Sequence, residues 1–143
     1  MREIDLEPVA CPRPRVTRRG VFYPPKYREW SKKAERILRD LNLQKEEGAL
    51  SLRIVFVIKR PQSLRRRKDP EGRIPHTKRP DLDNYLKAFL DSAQKAELLG
   101  DDSELYLIQA SKFYAAKTET PKIIFQINKS SRDATSGAKQ QRR

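Results

Sequence analysis

The 143-residue chain carries 32 Lys and Arg against 19 Asp and Glu, a formal net charge of +13, and 36% of its residues are hydrophobic. This length suits one domain with a modest core, and the hydrophobic content argues against a wholly disordered chain. The single Cys11 excludes an internal disulfide and a cysteine zinc site, so we expect it to pack inside a cytoplasmic protein. No apolar run is long enough for a membrane span.

The first half of the chain predicts a strand, an irregular arm, a helix and a second strand. Weak alternation over residues 2–10 predicts the first strand, and the prolines of residues 11–25 exclude a long regular element there. Apolar residues at three-and-four spacing predict an amphipathic helix over 26–43. The run ALSLRIVFVI at 49–58 predicts the central strand, buried on much of both faces.

The second half predicts a long loop, a second helix and two further strands. Residues 60–78 contain three prolines, a glycine and little periodicity, which is typical of a functional or disordered loop. An apolar stripe that starts at Leu82 predicts a helix ending near residue 94 or 95. The segments 105–117 and 122–128 predict two strands joined by a short turn as a hairpin.

This order of elements predicts an α+β fold, a small mixed sheet covered by two helices. The polar, basic residues 129–143 lack large apolar side chains and predict a disordered tail. The folded domain is therefore expected to cover residues 1–128.

Positive charge concentrates in two stretches without acids, residues 8–28 and 50–68. Such stretches are typical of sequence-independent, salt-sensitive phosphate contacts, although a solvated surface is the alternative. Phe22, Tyr23 and Tyr27 are candidates for stacking on unpaired bases, but we expect Tyr27 and one of the others to pack in the core. The candidate DNA contacts are Arg13, Arg15, Arg18, Arg19, Lys26, Lys59, Arg60, Arg65, Arg66, Arg67 and Lys68.

Acidic residues gather in RPDLDNYLKAFLD, residues 79–91. On a helix, Asp83, Lys87 and Asp91 share one stripe because they lie about one turn apart. Asp81 or Asp83 would also suit the helix start as a cap, and Lys87 would suit an exposed salt bridge. Capping leaves one of the two carboxylates unexplained.

A second acidic pair, Asp101 and Asp102, follows Gly100. These residues favour a turn, and the sequence leaves open which end of the second helix they approach. Clustered carboxylates predict a Mg²⁺ or Mn²⁺ site for phosphodiester hydrolysis, with Lys87 neutralising charge on the phosphate. An EF-hand is excluded because Tyr85 stands where an oxygen ligand is required.

His76 and Trp30 are the remaining candidates for chemistry or packing. His76 is the only histidine and would serve either as a proton carrier or as an exposed loop residue, and we expect the latter. Trp30 falls on the apolar face of the first helix and is expected in the core.

Residues 79–112 resemble the RusA-type Holliday junction resolvases. The residues that match the family's pattern in order and spacing are Asp81, Asp83, Asn84, Lys87, Asp91, Asp101, Asp102 and Lys112. The basic residues 13–15 and the segment 20–30 also resemble the amino-terminal arm of many members. The resemblance implies a RusA-like fold and a homodimeric, Mg²⁺-dependent endonuclease of bacterial or phage origin. It would cut four-way DNA junctions by paired nicks in recombination and repair.

The resemblance also implies roles for individual residues. Asp81, Asp83 and Asp102 would hold the metal, and Lys87 corresponds to the family's essential lysine. Glu104 stands where the family often has glutamine. Supporting roles are expected for Asn84, Asp91 and Asp101, and a DNA contact for Lys112. The alternative is a non-catalytic, basic nucleic-acid-binding protein whose acids serve as caps and turns.

Overall fold

The computed structural model describes residues 1–130 and packs two helices against one face of a five-stranded mixed sheet, which confirms the predicted α+β class. Residues 131–143, most of the predicted tail, lie outside the described residues. Two short 3-10 turns occupy Gln62–Leu64 and Asp102–Glu104. The regular elements are β1 (Arg2–Ile4), β2 (Arg15–Thr17), β3 (Gly20–Phe22), α1 (Pro25–Asp40), β4 (Leu50–Ile58), β5 (Ile74–Pro75), α2 (Leu82–Lys95), β6 (Leu105–Tyr114) and β7 (Lys122–Lys129).

The predicted first helix is present as α1, which begins at a proline whose fixed φ suits the first helical turn. It ends at Asp40, earlier than predicted, because Asn42 adopts a φ of 52° and this left-handed conformation ends the helix. Its buried face contains Tyr27, Ser31, Ala34 and Leu38.

The order of the large sheet is β1-β7-β4-β6-β5. β4 pairs in parallel with β6 and antiparallel with β7, so the prediction of a central strand is confirmed and that of a β6–β7 hairpin is wrong. β4 lies between these two strands, and its Leu50, Leu52, Ile54, Phe56 and Val57 are buried while Arg53 is exposed. The seven-residue connection from β6 to β7 is long enough to cross the end of β4.

α2 follows the predicted range closely and lies within the connection between the parallel strands β4 and β6. Such a pairing requires a crossover, and a helix commonly supplies it. The face of α2 that packs on the sheet carries Phe89, whose ring centroid lies 5.1 Å from that of Phe125 in β7. Leu52, Ile54 and Phe56 of β4 complete this core. Each such side chain contributes roughly 1.5–3 kcal/mol through burial.

The predicted arm contains one small hairpin, β2 paired with β3. Gly20 has a φ of 127°, which a residue with a side chain rarely adopts, and it completes the turn between the two strands. The hydroxyl of Thr17 accepts from the backbone N–H of Arg19 at 3.2 Å. Within residues 1–130, neither helix combines the length and hydrophobicity required to span a bilayer.

Candidate active site and nucleic-acid surface

The start of α2 leaves its two acidic side chains free. Asp81 occupies the N-cap position with extended backbone angles, φ −70° and ψ 152°, but its carboxylate caps no backbone N–H. Asp83 lies in the first turn, where the helix dipole stabilises negative charge. Because neither carboxylate is used in a capping hydrogen bond, both are free to take a ligand.

One groove collects the acidic stripe of α2 together with the following acidic turn. Asp83, Lys87 and Asp91 line a groove of about 270 Å³, and Asp102 completes it. Leu86 and Leu90 form its apolar floor. The structure thereby resolves the position of Asp102, which the sequence left open. We call this groove, lined by these four polar residues, the acidic groove.

Electrostatics within the acidic turn separate the roles of its two aspartates. The backbone N–H of Ser103 donates to Asp101 at 3.2 Å, and this hydrogen bond lowers the pKa of Asp101. Asp101 is thus a cap of the 3-10 turn, as the turn interpretation predicted. The pKa of Asp102 is raised by its hydrogen bond with Asp101, then by desolvation and by the charges of Asp101 and Asp91. A cation in the groove would relieve this repulsion.

Asp81 lies in a neighbouring groove of about 270 Å³ that is lined by Arg13, Arg79, Pro80 and Asn84. Within residues 1–130, no three His, Cys, Asp or Glu side chains lie close enough together to hold one metal ion. The structure therefore brings Asp83 and Asp102 to one groove and places Asp81 beside it. Mg²⁺ commonly binds one or two carboxylates together with waters and substrate phosphate, so an all-carboxylate donor set fits such an ion.

Nine of the predicted DNA contacts present exposed cations to solvent. Arg18 and Arg19 stand at the tip of the β2–β3 hairpin, which places two charges away from the body of the domain. Arg66 forms an ion pair with Asp69 at 3.2 Å, so part of its charge is already neutralised. The exposed cations are Arg13, Arg15, Arg18, Arg19, Lys26, Lys59, Arg66, Arg67 and Lys68.

Arg60 was predicted to contact DNA, and the structure contradicts this because the side chain is only 1% exposed. Its guanidinium donates to the carbonyl oxygens of Ala115 at 2.8 Å, Leu64 at 3.1 Å and Pro70 at 2.7 Å, and also to that of Gly72. These contacts tie the loop that follows β4 to the end of β6. The predicted long loop is thus held in a defined conformation by a buried cation.

Arg65 and Lys112, two further predicted DNA contacts, are half-buried and make internal hydrogen bonds. Arg65 donates to the carbonyl of Lys117 at 3.1 Å. The Nζ of Lys112 donates to the carbonyl oxygens of Lys78 at 2.6 Å and Pro80 at 2.5 Å. Both cations therefore support the backbone, whatever else they contact.

His76 was expected to be exposed, and this expectation is wrong because it is 6% exposed. Its ring stacks on Tyr114 with centroids 4.3 Å apart, and its Nδ1 accepts from the N–H of Lys78 at 3.2 Å. Desolvation and then the charge of Lys112 lower the pKa of His76. A buried ring with one nitrogen already bonded is a packing residue of the loop.

The expectations for the remaining core candidates are confirmed. Cys11 and Tyr27 are buried in one cluster, and Trp30 packs against it while donating its indole N–H to the carbonyl of Glu7 at 2.8 Å. Phe22 stays exposed and remains available for stacking. Sequence reasoning missed Arg79, an exposed cation in the groove of Asp81. Its place two residues before Asp81 was the available signal.

A protein-family model described as endodeoxyribonuclease RusA matches residues 5–128. The matched range covers most of the chain and contains both grooves and every candidate site residue named above. No curated protein matches the chain significantly.

Proposed function

The chain belongs to the RusA endodeoxyribonuclease family, and from this membership we propose that it resolves four-way DNA junctions in recombination and repair. The proposed reaction is Mg²⁺-dependent hydrolysis of phosphodiester bonds, delivered as paired nicks, with Mn²⁺ as a possible substitute. The observation that carries the proposal is the acidic groove, which is lined by Asp83, Lys87 and Asp102. This arrangement lies inside the range that matches a family of DNA endonucleases.

The proposed metal ligands are Asp83 and Asp102 in the acidic groove and Asp81 beside it. When bound there, Mg²⁺ would supply Lewis-acid activation of water and of the phosphate. Asp91 lies in the same groove and supports the negative potential that attracts the ion. Asp101 holds the acidic turn in shape through Ser103.

Lys87 acts on the substrate through its charge. It is exposed and lies between Asp83 and Asp91, one helical turn from each. An ammonium at that place binds a phosphate oxygen and stabilises the negative charge that grows in the transition state. Asn84 holds the start of α2, since its backbone N–H donates to Asp81 and its carbonyl accepts from Cys11 at 2.9 Å.

Exposed cations bring the DNA to the grooves. The tip of the β2–β3 hairpin and residues 66–68 lie on separate segments, so they can contact phosphates on different arms of a branched substrate. Phosphate contacts of this kind are independent of sequence and weaken steeply with salt. Since the substrate is chromosomal or phage DNA, we place the protein in the bacterial cytoplasm.

We propose that two copies associate through the open edge of β6. β5 pairs with β6 only at Phe113 and Tyr114, which leaves the preceding backbone groups of that edge without a strand partner within residues 1–130. Tyr106, Leu107 and Ile108 are 64%, 47% and 39% exposed along this edge. Residues 105–111 carry no charge in a chain of net charge +13, so two copies meet there with little repulsion. Antiparallel pairing of one edge with itself gives the two-fold symmetry that paired nicks require.

The test uses four-way, flapped and linear DNA with labelled strands, with and without Mg²⁺. We expect wild-type protein to cut the four-way junction only with the metal, and Asp83→Asn to lose at least 100-fold in rate. Binding in EDTA should stay or tighten, because one repulsion with phosphate disappears. Asp40→Asn makes the same change in charge on the exposed end of α1 and should cut normally. Full cleavage by Asp83→Asn would reject the assigned site, and absence of cleavage by the wild type would favour a non-catalytic DNA-binding protein.

A further inference from the structure

Lys112 uses its side-chain ammonium for hydrogen bonds within the protein. Its side chain rises from β6 opposite Phe56 and passes the buried ring of Tyr85, with Nζ 6.0 Å from the ring centroid. The ammonium then donates to the carbonyl oxygens of Lys78 and Pro80 at 2.6 and 2.5 Å. Charge-assisted hydrogen bonds of this length are among the strong ones.

The two carbonyls belong to the segment that leads directly into α2. Asp81 follows Pro80 at the N-cap position, and its carboxylate makes no capping bond that would fix it. The backbone of Asp81 is held on its carboxyl side by the N–H of Asn84 at 3.1 Å. On its amino side, Lys112 bonds the carbonyl of the residue immediately before it.

The backbone of Lys112 makes a further contact with the same segment. The N–H of His76 donates to the carbonyl of Lys112 at 3.1 Å, so both the backbone and the side chain of Lys112 hold residues 76–80. Two of the three ammonium donors are committed to carbonyls, which leaves one for any other partner. Within residues 1–130, Lys112 forms no ion pair with a carboxylate.

We propose that Lys112 is a positioning residue whose ammonium clamps the carbonyls of Lys78 and Pro80 and thereby fixes Asp81 for catalysis, without contacting DNA phosphate. The proposal rests on the proposed nuclease function for its kinetic consequence. The claim that Lys112 orders the start of α2 does not depend on that function.

The first experiment compares Lys112→Met with Lys68→Met, two variants that remove one positive charge from full-length protein. Methionine keeps the unbranched stem against Tyr85 and lacks the donor. Junction binding in EDTA is measured between 50 and 200 mM salt. Loss of one phosphate contact changes the slope of log affinity against log salt by about 0.9. We expect this change for the exposed Lys68 and no change for Lys112.

The second measurement separates turnover from binding. With Mg²⁺ and saturating junction, Lys112→Met should lose at least tenfold in kcat with KM within twofold of wild type. Amide hydrogen exchange of the peptide covering residues 77–84 should accelerate at least tenfold in Lys112→Met and stay unchanged in Lys68→Met. A salt slope reduced by about 0.9 for Lys112→Met, or unchanged exchange in residues 77–84, would overturn the proposal.

A third measurement on unaltered protein covers the case in which Lys112→Met fails to fold. Lysine acylation is mapped in EDTA with and without the four-way junction. Lys68 should become protected by DNA and Lys112 should react equally slowly in both states, whereas protection of Lys112 by DNA would overturn the proposal. Hydrogen exchange and acylation need no cleavage, so failure of the nuclease assignment would be seen separately as an inactive wild type.

Discussion

The buried guanidinium of Arg60 can be removed to test what holds residues 60–78, the loop that follows β4, in place. Four carbonyl oxygens receive its donors, those of Leu64, Pro70, Gly72 and Ala115. In Arg60→Met the apolar volume is largely kept and every donor is lost. The carbonyls of the loop can turn towards water, but Ala115 is 1% exposed and its oxygen would be left without a partner.

The expected loss of stability is the difference between the hydrogen bonds that are lost and the desolvation cost that is recovered. Hydrogen bonds to a charged group contribute roughly 1.5–3 kcal/mol each, so four of them set a ceiling of ~12 kcal/mol. Removing the cation also recovers its desolvation cost, which is several kcal/mol for a buried ion. We therefore expect Arg60→Met to lower the free energy of unfolding by about 2–4 kcal/mol. Arg60→Lys keeps the charge but has fewer donors, so its free energy of unfolding should lie between those of the wild type and Arg60→Met.

Urea-induced unfolding measures the loss, and limited trypsin digestion locates it. Trypsin should cut Arg60→Met rapidly after residues 65–68, because the loop no longer has its anchor. Arg67→Met is the matched control: it removes an exposed arginine of the same loop and should change stability by less than ~0.5 kcal/mol. If Arg60→Met loses less than 1 kcal/mol, as an exposed position would, the argument that this cation holds the loop is refuted.

Two further predictions concern the ion pair of Glu119 and the edge of β6. Arg73 donates to Glu119 at 2.6 Å and holds the pKa of Glu119 at about 2, below its ordinary value of 4.5. The stabilisation is present above pH 4.5 and is lost as the pH falls towards 2. It amounts to about 1–2 kcal/mol, because the Arg73 side chain is 35% exposed and solvent screens the pair. The difference in unfolding free energy between wild type and Glu119→Gln should therefore shrink between pH 7 and pH 3, and a constant difference would contradict it. Ile108→Lys should convert the proposed dimer to monomer in sedimentation equilibrium while Val16→Lys does not, and an unchanged mass for Ile108→Lys would place the contact elsewhere.

The spacing of apolar residues predicted α2 and β4, because the buried face of each element can be recognised within its own segment. α2 was found because its apolar side chains recur at helical spacing, and the same spacing placed Asp83, Lys87 and Asp91 on one stripe. β4 was found because Leu50, Leu52, Ile54, Phe56 and Ile58 alternate along one face while Val55 and Val57 extend the apolar surface to the other. In each case the pattern within one segment contains all the information required.

Pairing between segments was not contained in any local pattern. The segments of β6 and β7 each read correctly as strands, but a short polar connection does not show whether a third strand lies between them. Arg60 has the same charge as its exposed neighbours, and only the carbonyls that surround it in the fold distinguish it. His76 was misplaced for the same reason, since its stacking partner Tyr114 lies far away in the sequence.

The parallel pairing of β4 with β6 explains why distant residues complete the acidic site. A helix that connects parallel strands runs back along them, so α2 ends near the start of β6 and begins near its other end. The 14 residues of α2 span ~21 Å, and the seven steps from Leu105 to Lys112 span ~23 Å. The two lengths match, so Asp102, just before β6, lies beside the later turns of α2 while Lys112 reaches the carbonyl before Asp81. The turn before β6 thus supplies an acid to the groove along α2, and β6 itself supplies the lysine that bonds the residue before Asp81.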